Sequence, residues 1–418
     1  MNTFTNARSN VMNFLNEAAN RFPQAISFAS GRPADQFMRM DQYLGGLATF
    51  ADHVARNESI PVSRAIAFLS QYGRTAGIIN SLVARQINND EGIVCELEQI
   101  LITAGCQEAL ALCIRALCGG PDDVLLTRSP AYIGVTGAAD SQGIAICGFP
   151  CTHEHELVSN LLQAIDGLRT RGKRPRAFYL VPTFDNPSGV TLSREIRKEV
   201  IALCAAQDIV ILEDDPYGMF SFEAEKVPAM YTLDQHECVV YLGTYSKTLC
   251  PALRVGYAVM PLRLTSGPEN LLERIVQMKS FGTLNTSQLS QSIVGGLLLN
   301  HECSLTTLVA PMRELYRVQR DCMLAALRRT FGANGELVCW NVPKGGFFLT
   351  VDLPFEFEAQ EAWQCAADYR VIVLPLSFFA LVQGEEKRIR LAYSNATAPQ
   401  IEQGIQNLGE FVRRRLSR

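Results

Sequence analysis

The sequence lacks any apolar run long enough to span a bilayer, and its longest such stretch, 371–382, is interrupted by Pro375. The first twenty residues are polar, with neither a basic start nor an apolar stretch of signal-peptide length. No G-x-G-x-x-G fingerprint and no P-loop occur, so nothing indicates a nucleotide site. These absences argue against a membrane protein and against a secreted one.

Paired cysteine motifs are missing too, although the chain has 13 cysteines. None forms a C-x-x-C pair, so we expect reduced thiols and a cytoplasmic location. The formal net charge of −4 gives no general attraction to nucleic acid or to an anionic membrane. Residues 151–155 hold a cysteine and two histidines, but no second ligand cluster lies nearby, and we predict no metal site.

A chain of 418 residues exceeds the usual size of a single hydrophobic core, so more than one domain is expected. From residue 97 to 258, short β-branched runs alternate with helical patterns, which indicates an α/β domain with a mostly parallel sheet. The predicted strands are Ile100–Thr103, Asp123–Arg128, Ile144–Phe149, Ala177–Val181, Ile209–Glu213, Val239–Thr244 and Arg254–Met260.

A long helix is predicted over Pro268–Asn300, followed by a region with a different, α+β layout. The strands predicted there are Leu337–Asn341, Gly346–Asp352, Val371–Leu374 and Arg388–Tyr393, with helices at Ala359–Tyr369 and Ala398–Arg415. We therefore predict an N-terminal arm that joins the small domain (1–54), a large domain (55–300) and a C-terminal small domain (301–418).

Polar residues gather after several predicted strands, where open α/β sheets bind ligands. After the first strand, residues 103–110 contain a glycine that opens a helix, whose free N–H groups suit a phosphate, although such a helix start is common. After the fourth, Pro187 presents the side chain of Asn186 at the sheet edge, as a plain turn would also do.

Two further clusters are harder to explain as surface features. Asp214 and Asp215 directly follow an apolar strand, and a buried carboxylate needs a partner such as a protonated heterocycle nitrogen. Lys247 follows the next strand, with hydroxyl residues before it and Arg254 seven residues later. Its amine can form a Schiff base once its surroundings lower its pKa, and Arg254 can hold a phosphate dianion.

Taken in this order, the motifs resemble those of fold-type I PLP-dependent enzymes, in the class I/II aminotransferase family, and within it the aminoadipate, kynurenine and aromatic branch. The likeness runs from about residue 28 to the C-terminus. It implies a large domain with a mostly parallel seven-stranded sheet flanked by helices, and a smaller α+β domain. It also implies pyridoxal 5′-phosphate (PLP) as cofactor.

By resemblance, Lys247 carries PLP as a Schiff base and moves the α-proton, Asp214 pairs with the ring nitrogen, and Tyr217 assists at the phenolic oxygen. The remaining cofactor contacts that the resemblance implies are Gly105, Cys106, Gln107, Tyr132, Asn186, Thr244, Ser246, Arg254 and, from the neighbouring subunit, Tyr72. The substrate contacts that it implies are Gly31, Arg32, Asn186 and Arg390, with Arg390 receiving the α-carboxylate.

These assignments predict a homodimeric aminotransferase with shared active sites, which moves an amino group between an aromatic or acidic L-amino acid and a 2-oxo acid such as 2-oxoglutarate. Some positions depart from the family pattern, among them Cys106, Glu108 and Asp185. Two alternatives therefore stay open: another PLP reaction, such as carbon–carbon bond formation, β/γ-replacement or cyclisation, and a non-catalytic effector-binding protein.

Overall fold

The computed structural model describes residues 17–18, 20–265, 270–332 and 337–417. Its strands are numbered in chain order: β1 (Ile26–Ser27), β2 (Ile100–Thr103), β3 (Asp123–Ser129), β4 (Ala145–Pro150), β5 (Arg174–Leu180), β6 (Val210–Asp214), β7 (Val239–Thr244), β8 (Gly256–Val259), β9 (Cys339–Trp340), β10 (Phe348–Asp352), β11 (Val371–Ile372), β12 (Leu374–Pro375) and β13 (Arg388–Ala392).

The α-helices of these residues are α1 (Met40–Asn57), α2 (Val62–Leu69), α3 (Asn80–Glu91), α4 (Cys106–Leu117), α5 (Ile133–Ser141), α6 (Leu157–Thr170), α7 (Arg194–Ala206), α8 (Met230–Leu233), α9 (Leu271–Gly282), α10 (Gln288–Asn300), α11 (Thr306–Phe331), α12 (Ala359–Tyr369) and α13 (Ala398–Leu416).

Seven strands form the central sheet in the order β2-β8-β7-β6-β5-β3-β4. Only β8 runs antiparallel to its neighbours, β2 and β7, while β3 to β7 are parallel. The predicted α/β fold with a mostly parallel seven-stranded sheet is confirmed. Each of the seven predicted strands is present, with ends that differ by three residues at most.

Helices cover both faces of this sheet because the side chains of each strand alternate between two apolar cores. Tyr179 and Leu212 belong to the core that includes α4 and α5, whereas Phe178 and Ile211 belong to the core under α6 and α7. Parallel strands that are buried on both faces have continuous apolar sequences, and for this reason the strands could be predicted from the sequence.

The predicted helix over Pro268–Asn300 is wrong in its continuity, since two helices, α9 and α10, occupy this region. Helix α9 ends at Gly282, and two residues later Leu284 takes a left-handed conformation with a φ of 65°. The carbonyl of Lys279 accepts bonds from the N–H groups of Thr283 and Leu284, and the Ser287 hydroxyl caps the start of α10. Pro268 lies outside the described residues.

Helices α1 and α10 cross at two glycines, Gly46 and Gly296. A Cβ on Gly296 would lie 1.7 Å from the carbonyl oxygen of Gly46, so a larger residue could not occupy this crossing.

The predicted domain boundary at residues 54 and 55 falls inside α1. The three domain ranges stay a prediction.

The C-terminal part contains a four-stranded antiparallel sheet in the order β12-β13-β10-β9. Helix α11 packs against α13 on the C-terminal side of the chain, and α13 also contacts α12. The predicted strand over Val371–Leu374 divides into β11, which pairs with β1 near the N-terminus, and β12, which pairs with β13. The N-terminal segment therefore joins the smaller α+β part of the fold.

No helix in the described ranges combines the length and the apolar character needed to cross a membrane. The rings of His153 and His155 stack with centroids 5.5 Å apart. Across the same residues, no three histidine, cysteine or acidic side chains are grouped as a metal site would require.

Candidate active site

The candidate site lies where the parallel strands of the central sheet end. Asp214 is the last residue of β6, Lys247 follows β7, and Asn186 follows β5. Gly105 follows β2, which has the same direction as β7 because both are antiparallel to β8. All four residues therefore lie at the carboxyl edge of the sheet, where open α/β sheets bind ligands.

Lys247 projects into this site, and its Nζ donates a hydrogen bond of 2.8 Å to the carbonyl oxygen of Gly31. The Nζ also lies 6.0 Å from the ring centre of Tyr217 and 5.9 Å from that of Phe347. Burial and the positive charge of Arg390 lower the pKa of Lys247 to about 8. The neutral form of this amine, which a nucleophile or base requires, is therefore far more populated near neutral pH than in an ordinary lysine, although the charged form still predominates.

Asp214 is buried, and both of its carboxylate oxygens accept hydrogen bonds. The Tyr179 hydroxyl donates to Oδ2 at 2.8 Å, and the Cys106 thiol donates to Oδ1 at 3.3 Å. Burial raises the pKa of Asp214 to about 6, and these two hydrogen bonds oppose that rise. The carboxylate is therefore charged at neutral pH, and no cationic side chain of the described residues is bonded to it.

Sequence reasoning missed Tyr179. The parallel pairing of β5 with β6 explains the contact. Tyr179 of β5 lies directly opposite Leu212 of β6, and Leu212 is two residues before Asp214. A tyrosine with a buried hydroxyl needs a polar partner. Asp214 is the carboxylate that provides it.

A cradle for an anion forms around the first turn of α4. Gly105 has a φ of 81° and a ψ of 163°, a conformation that essentially only glycine adopts, and a Cβ on it would also displace the guanidinium of Arg254. Arg254 itself is left-handed, and its Nη1 donates to the Ser246 hydroxyl at 3.1 Å. The N–H of Ser246 donates to Thr244 Oγ1. Free helical N–H groups, two hydroxyls and a guanidinium thus converge at this edge.

Gln107 and Tyr132 flank the cradle on the side of α5. The Gln107 Nε2 donates to the carbonyl oxygen of Gly134 at 2.7 Å, so this side chain bonds the backbone. Burial and the nearby charge of Asp214 raise the pKa of Tyr132 to about 12, so its ring stays neutral. Tyr217 packs on Phe347, with ring centres 5.1 Å apart, and burial raises the pKa of its hydroxyl.

Arg390 is a buried guanidinium on β13 of the smaller sheet. Its Nη1 donates to Asn186 Oδ1 at 2.6 Å, its Nη2 donates to the carbonyl of Ala29, and its Nε has no partner among the described residues. The rings of Phe348 and Phe379 lie 4.3 and 4.9 Å from its Cζ. Because Asn186 follows β5, this bond joins the two sheets at the site.

Two predicted site residues lie apart from this group. Arg32 is exposed, and with the Asn395 amide oriented so that its oxygen faces the guanidinium, Nε and Nη2 of Arg32 donate to that oxygen at 2.9 and 3.2 Å. Tyr72 is 81% exposed, between α2 and α3. Within one chain, therefore, neither side chain reaches Lys247 or Asp214 in any recorded contact.

The unusual Asp185 beside Asn186 has a structural explanation. Its Oδ2 lies 2.7 Å from Nη2 of Arg128, and both side chains are buried. The same oxygen accepts bonds from the backbone N–H and the hydroxyl of Ser188. A charge-paired aspartate therefore fixes the loop that carries Asn186.

The residues present suit PLP. A glycine with a positive φ borders the anion cradle, a buried carboxylate has no cation bonded to it among the described residues, and an amine of lowered pKa interacts electrostatically with that carboxylate. This donor set fits a phosphorylated aldehyde heterocycle with a protonated ring nitrogen, which defines the class of PLP-dependent enzymes.

The comparisons with known proteins agree. Residues 54–408 match the sequence profile described as "Aminotransferase class I and II". The chain belongs to this family, and it is a PLP-dependent aminotransferase.

Among curated relatives, the (S)-3,5-dihydroxyphenylglycine transaminase of Amycolatopsis orientalis is 34% identical over 97% of this chain and 92% of its own length. The 2-aminoadipate transaminase of Thermus thermophilus is 29% identical over 94% and 91%. Among solved structures, the multiple substrate aminotransferase of Thermococcus profundus superposes with a TM-score of 0.83 at 26% identity, covering 97% and 95% of the two chains.

Some relatives are regulators. An uncharacterized HTH-type transcriptional regulator of Bacillus subtilis is 30% identical over 78% of this chain and 64% of its own length. The likeness to transaminases spans more of both chains. Nothing found favours the alternatives to amino transfer.

Proposed function

We propose that this aminotransferase takes the amino group of an L-amino acid with an aromatic side chain and passes it to a 2-oxo acid such as 2-oxoglutarate. The observation that carries the proposal is the buried Lys247 amine, which bonds the Gly31 carbonyl at 2.8 Å and whose pKa is lowered by burial and by Arg390 while the carboxylate of Asp214 opposes that shift. An amine that alternates between charged and neutral forms can remove and return a proton at the substrate Cα.

The cofactor contacts are part of this proposal. Asp214 would pair with the ring nitrogen, Tyr132 would stack on the ring, and Asn186 and Tyr217 would bond its phenolic oxygen. The phosphate would be held by the backbone at Gly105, Cys106 and Gln107 and by Thr244, Ser246 and Arg254, in the cradle at the start of α4. Bound PLP supplies an electron sink for the charge left at Cα.

Arg390 is proposed to bind the substrate α-carboxylate. Its guanidinium is already fixed by Asn186 and Ala29, and its free Nε supports the view that a further acceptor completes the site. A planar guanidinium binds a carboxylate through two parallel hydrogen bonds. Lys247 then stands near the Cα side, held in place by the Gly31 carbonyl.

The aromatic preference has support from the site and from the relatives. Phe348 and Phe379 lie against Arg390 and provide an apolar wall next to the carboxylate site. The 34% identical relative acts on an arylglycine by its name, and an aromatic-amino-acid aminotransferase of Thermococcus litoralis is 28% identical. Among the described residues, the Arg32 guanidinium bonds only the neutral amide of Asn395, so its charge is uncompensated and makes an acidic donor the second candidate.

The active enzyme is proposed to be a homodimer in which Tyr72 reaches the phosphate of the partner subunit. The strong exposure of Tyr72 and of apolar side chains near it, such as Phe68, supports this assembly. The cytoplasmic location expected from the thiols stays a prediction.

The test is a half-reaction. Purified protein loaded with PLP is mixed with single amino acids, without any oxo acid, and the conversion of PLP to pyridoxamine 5′-phosphate is followed by absorbance. We expect aromatic donors to convert PLP to pyridoxamine 5′-phosphate and to release one equivalent of the matching aromatic 2-oxo acid as product. The Lys247→Ala variant is the control and should not convert.

Two outcomes would contradict the proposal. A protein that binds PLP but converts it with no donor would not be an aminotransferase. Conversion by 2-aminoadipate or glutamate at rates far above those of phenylglycines, phenylalanine or kynurenine would replace the aromatic assignment with the acidic one.

A further inference from the structure

The thiol of Cys106 points to the carboxylate of Asp214 and not to the phosphate cradle. Its Sγ lies 3.3 Å from Asp214 Oδ1, and among the described residues no hydrogen bond joins this thiol to Ser246 or to Arg254, whose charge acts on it only electrostatically. The sequence resemblance placed this side chain among the phosphate contacts. We propose, resting on the function proposed above, that Cys106 is a positioning residue whose thiol holds Asp214 as a carboxylate aimed at the cofactor ring.

The thiol can only act as a donor in this contact. Enclosure of Cys106 and the adjacent negative charge of Asp214 raise the pKa of the thiol well above its ordinary value. The neutral S–H group therefore donates its proton to Oδ1, while Tyr179 donates to Oδ2. Two donors on opposite oxygens fix the plane of the carboxylate and stabilise its charged form.

Other groups around Asp214 act in both directions. The titratable side chains that face it or interact with it electrostatically, in addition to Cys106 and Tyr179, are Asp215, Lys247, Tyr132 and Tyr217. Asp215 raises the pKa of Asp214, and Lys247 lowers it. When PLP is bound, the amine of Lys247 is engaged by the aldehyde and no longer lowers the pKa of Asp214 as a free cation would. The hydrogen-bond donors therefore contribute more to stabilising the Asp214 carboxylate in the loaded enzyme.

The pH dependence of cofactor affinity should shift in one direction when a hydrogen-bond donor to Asp214 is removed. A protonated ring nitrogen binds the charged form of Asp214, so cofactor affinity falls as pH drops through the pKa of that carboxyl, which lies at about 6. Removing a donor to the carboxylate raises this pKa. The fall in affinity then begins at a higher pH.

Pyridoxamine 5′-phosphate is the suitable probe, because it carries the same ring and phosphate but forms no covalent link with Lys247. We would measure its dissociation constant for the full-length protein from about pH 5 to pH 8, a range that brackets the shifted carboxyl. The variants are Cys106→Ala and Cys106→Val, which lack the donor, and Cys106→Ser, which keeps one. Val guards against loss of folding through loss of volume.

Two controls calibrate the result. Cys113→Ala removes a buried thiol from the same helix, α4, at a position without contact to Asp214, and should leave the midpoint unchanged. Tyr179→Phe removes the other donor and should shift the midpoint in the same direction as Cys106→Ala. Groups that titrate on the probe itself are common to all variants, so the differences isolate Asp214.

We expect the midpoint of the affinity profile to rise by about half a unit to one unit in Cys106→Ala and Cys106→Val, as the loss of one hydrogen bond predicts. Cys106→Ser should match the wild type. Affinity for inorganic phosphate, measured in parallel, should be the same in all variants.

A different pattern would overturn the inference. If both donor-free variants keep the wild-type midpoint and lose affinity for inorganic phosphate and for the probe by the same factor, the thiol is a phosphate contact. If the wild type fails to bind the probe at all, the proposed function fails instead.

Discussion

At the scale of single residues, Arg390 combines the features of a carboxylate receptor. It is buried, it is oriented by two acceptors, and burial lowers its pKa to about 10, still well above neutral pH. A lysine here would keep the charge but lose the planar fork that binds both carboxylate oxygens.

We therefore predict that Arg390→Lys raises KM for the amino donor by about ten to a hundredfold, the loss expected for one charged hydrogen bond, with a smaller change in kcat. Steady-state kinetics at saturating 2-oxo acid would measure it. Arg388→Lys is the matched control, since Arg388 lies on the same strand but pairs with Asp352 and Glu385. An unchanged KM in Arg390→Lys would contradict the assignment.

The functional residues at the strand ends were predictable because charged and polar side chains at these positions interrupt apolar strand patterns. Lys247, Asp214 and Asn186 each break an apolar pattern where a strand ends, and the structure brings them to one edge of the sheet. The direction of a side chain is not encoded in this way. Cys106 and Gln107 lie in the predicted cradle, yet their side chains bond Asp214 and Gly134, because tertiary packing selects their rotamers.

At the scale of elements, Glu108 joins the cradle to a distant helix. Its Oε2 accepts bonds from the N–H of Ala104 and from Lys279 on α9, at 2.6 Å in both cases, and its Oε1 accepts from Thr283. The side chain of Lys279 is completely buried. This ion pair thus fixes the start of α4 against the end of α9.

We predict that Glu108→Gln destabilises the fold by about 3–5 kcal/mol, because it leaves the buried Lys279 charge without a counterion. The double variant Glu108→Gln with Lys279→Met should recover much of this loss, since no buried charge remains. Urea unfolding of the PLP-free protein would measure both.

The exposed pair Lys173–Asp122 provides the control, and Lys173→Met should change stability by about 1 kcal/mol or less. If the double variant is no more stable than Glu108→Gln alone, the burial of an unpaired charge is not the cause.

Elements with strong local patterns were predictable, whereas breaks and pairings were not. The limits of α12 were predicted to the residue from its periodicity. The division of 268–300 into two helices depends on Thr283 and Leu284 bonding the carbonyl of Lys279, and no proline marks it. The pairing of β1 with β11 joins segments more than three hundred residues apart, which no local pattern reports.

At the scale of the whole molecule, one protomer leaves a set of apolar side chains in solvent. Phe68 is 54% exposed and Tyr72 is 81% exposed, and Gln288 of α10 bonds the backbone of this segment. Phe281 of α9 is 84% exposed. Phe68 and Tyr72 are close in sequence, and exposed apolar side chains grouped in this way are typical of protein interfaces, which favours the predicted dimer.

A mixing experiment tests whether Tyr72 serves the partner's site. Tyr72→Ala and Lys247→Ala are each expected to be poorly active as homodimers. In a mixed dimer, one site combines an intact Lys247 with an intact Tyr72 from the other chain. Random exchange of subunits should therefore restore about a quarter of the wild-type sites, since half of the dimers are mixed and each has one complete site.

The matched control mixes Lys247→Ala with Asp214→Asn. Both residues lie in the same chain's site, so every site of the mixed dimer remains defective and no activity should return. Light scattering would first establish that the protein is a dimer, and mass spectrometry that subunits exchange. If verified mixed dimers of Tyr72→Ala and Lys247→Ala stay inactive, Tyr72 does not complete the partner's site, because complementation across the interface is the only source of an intact site in that mixture.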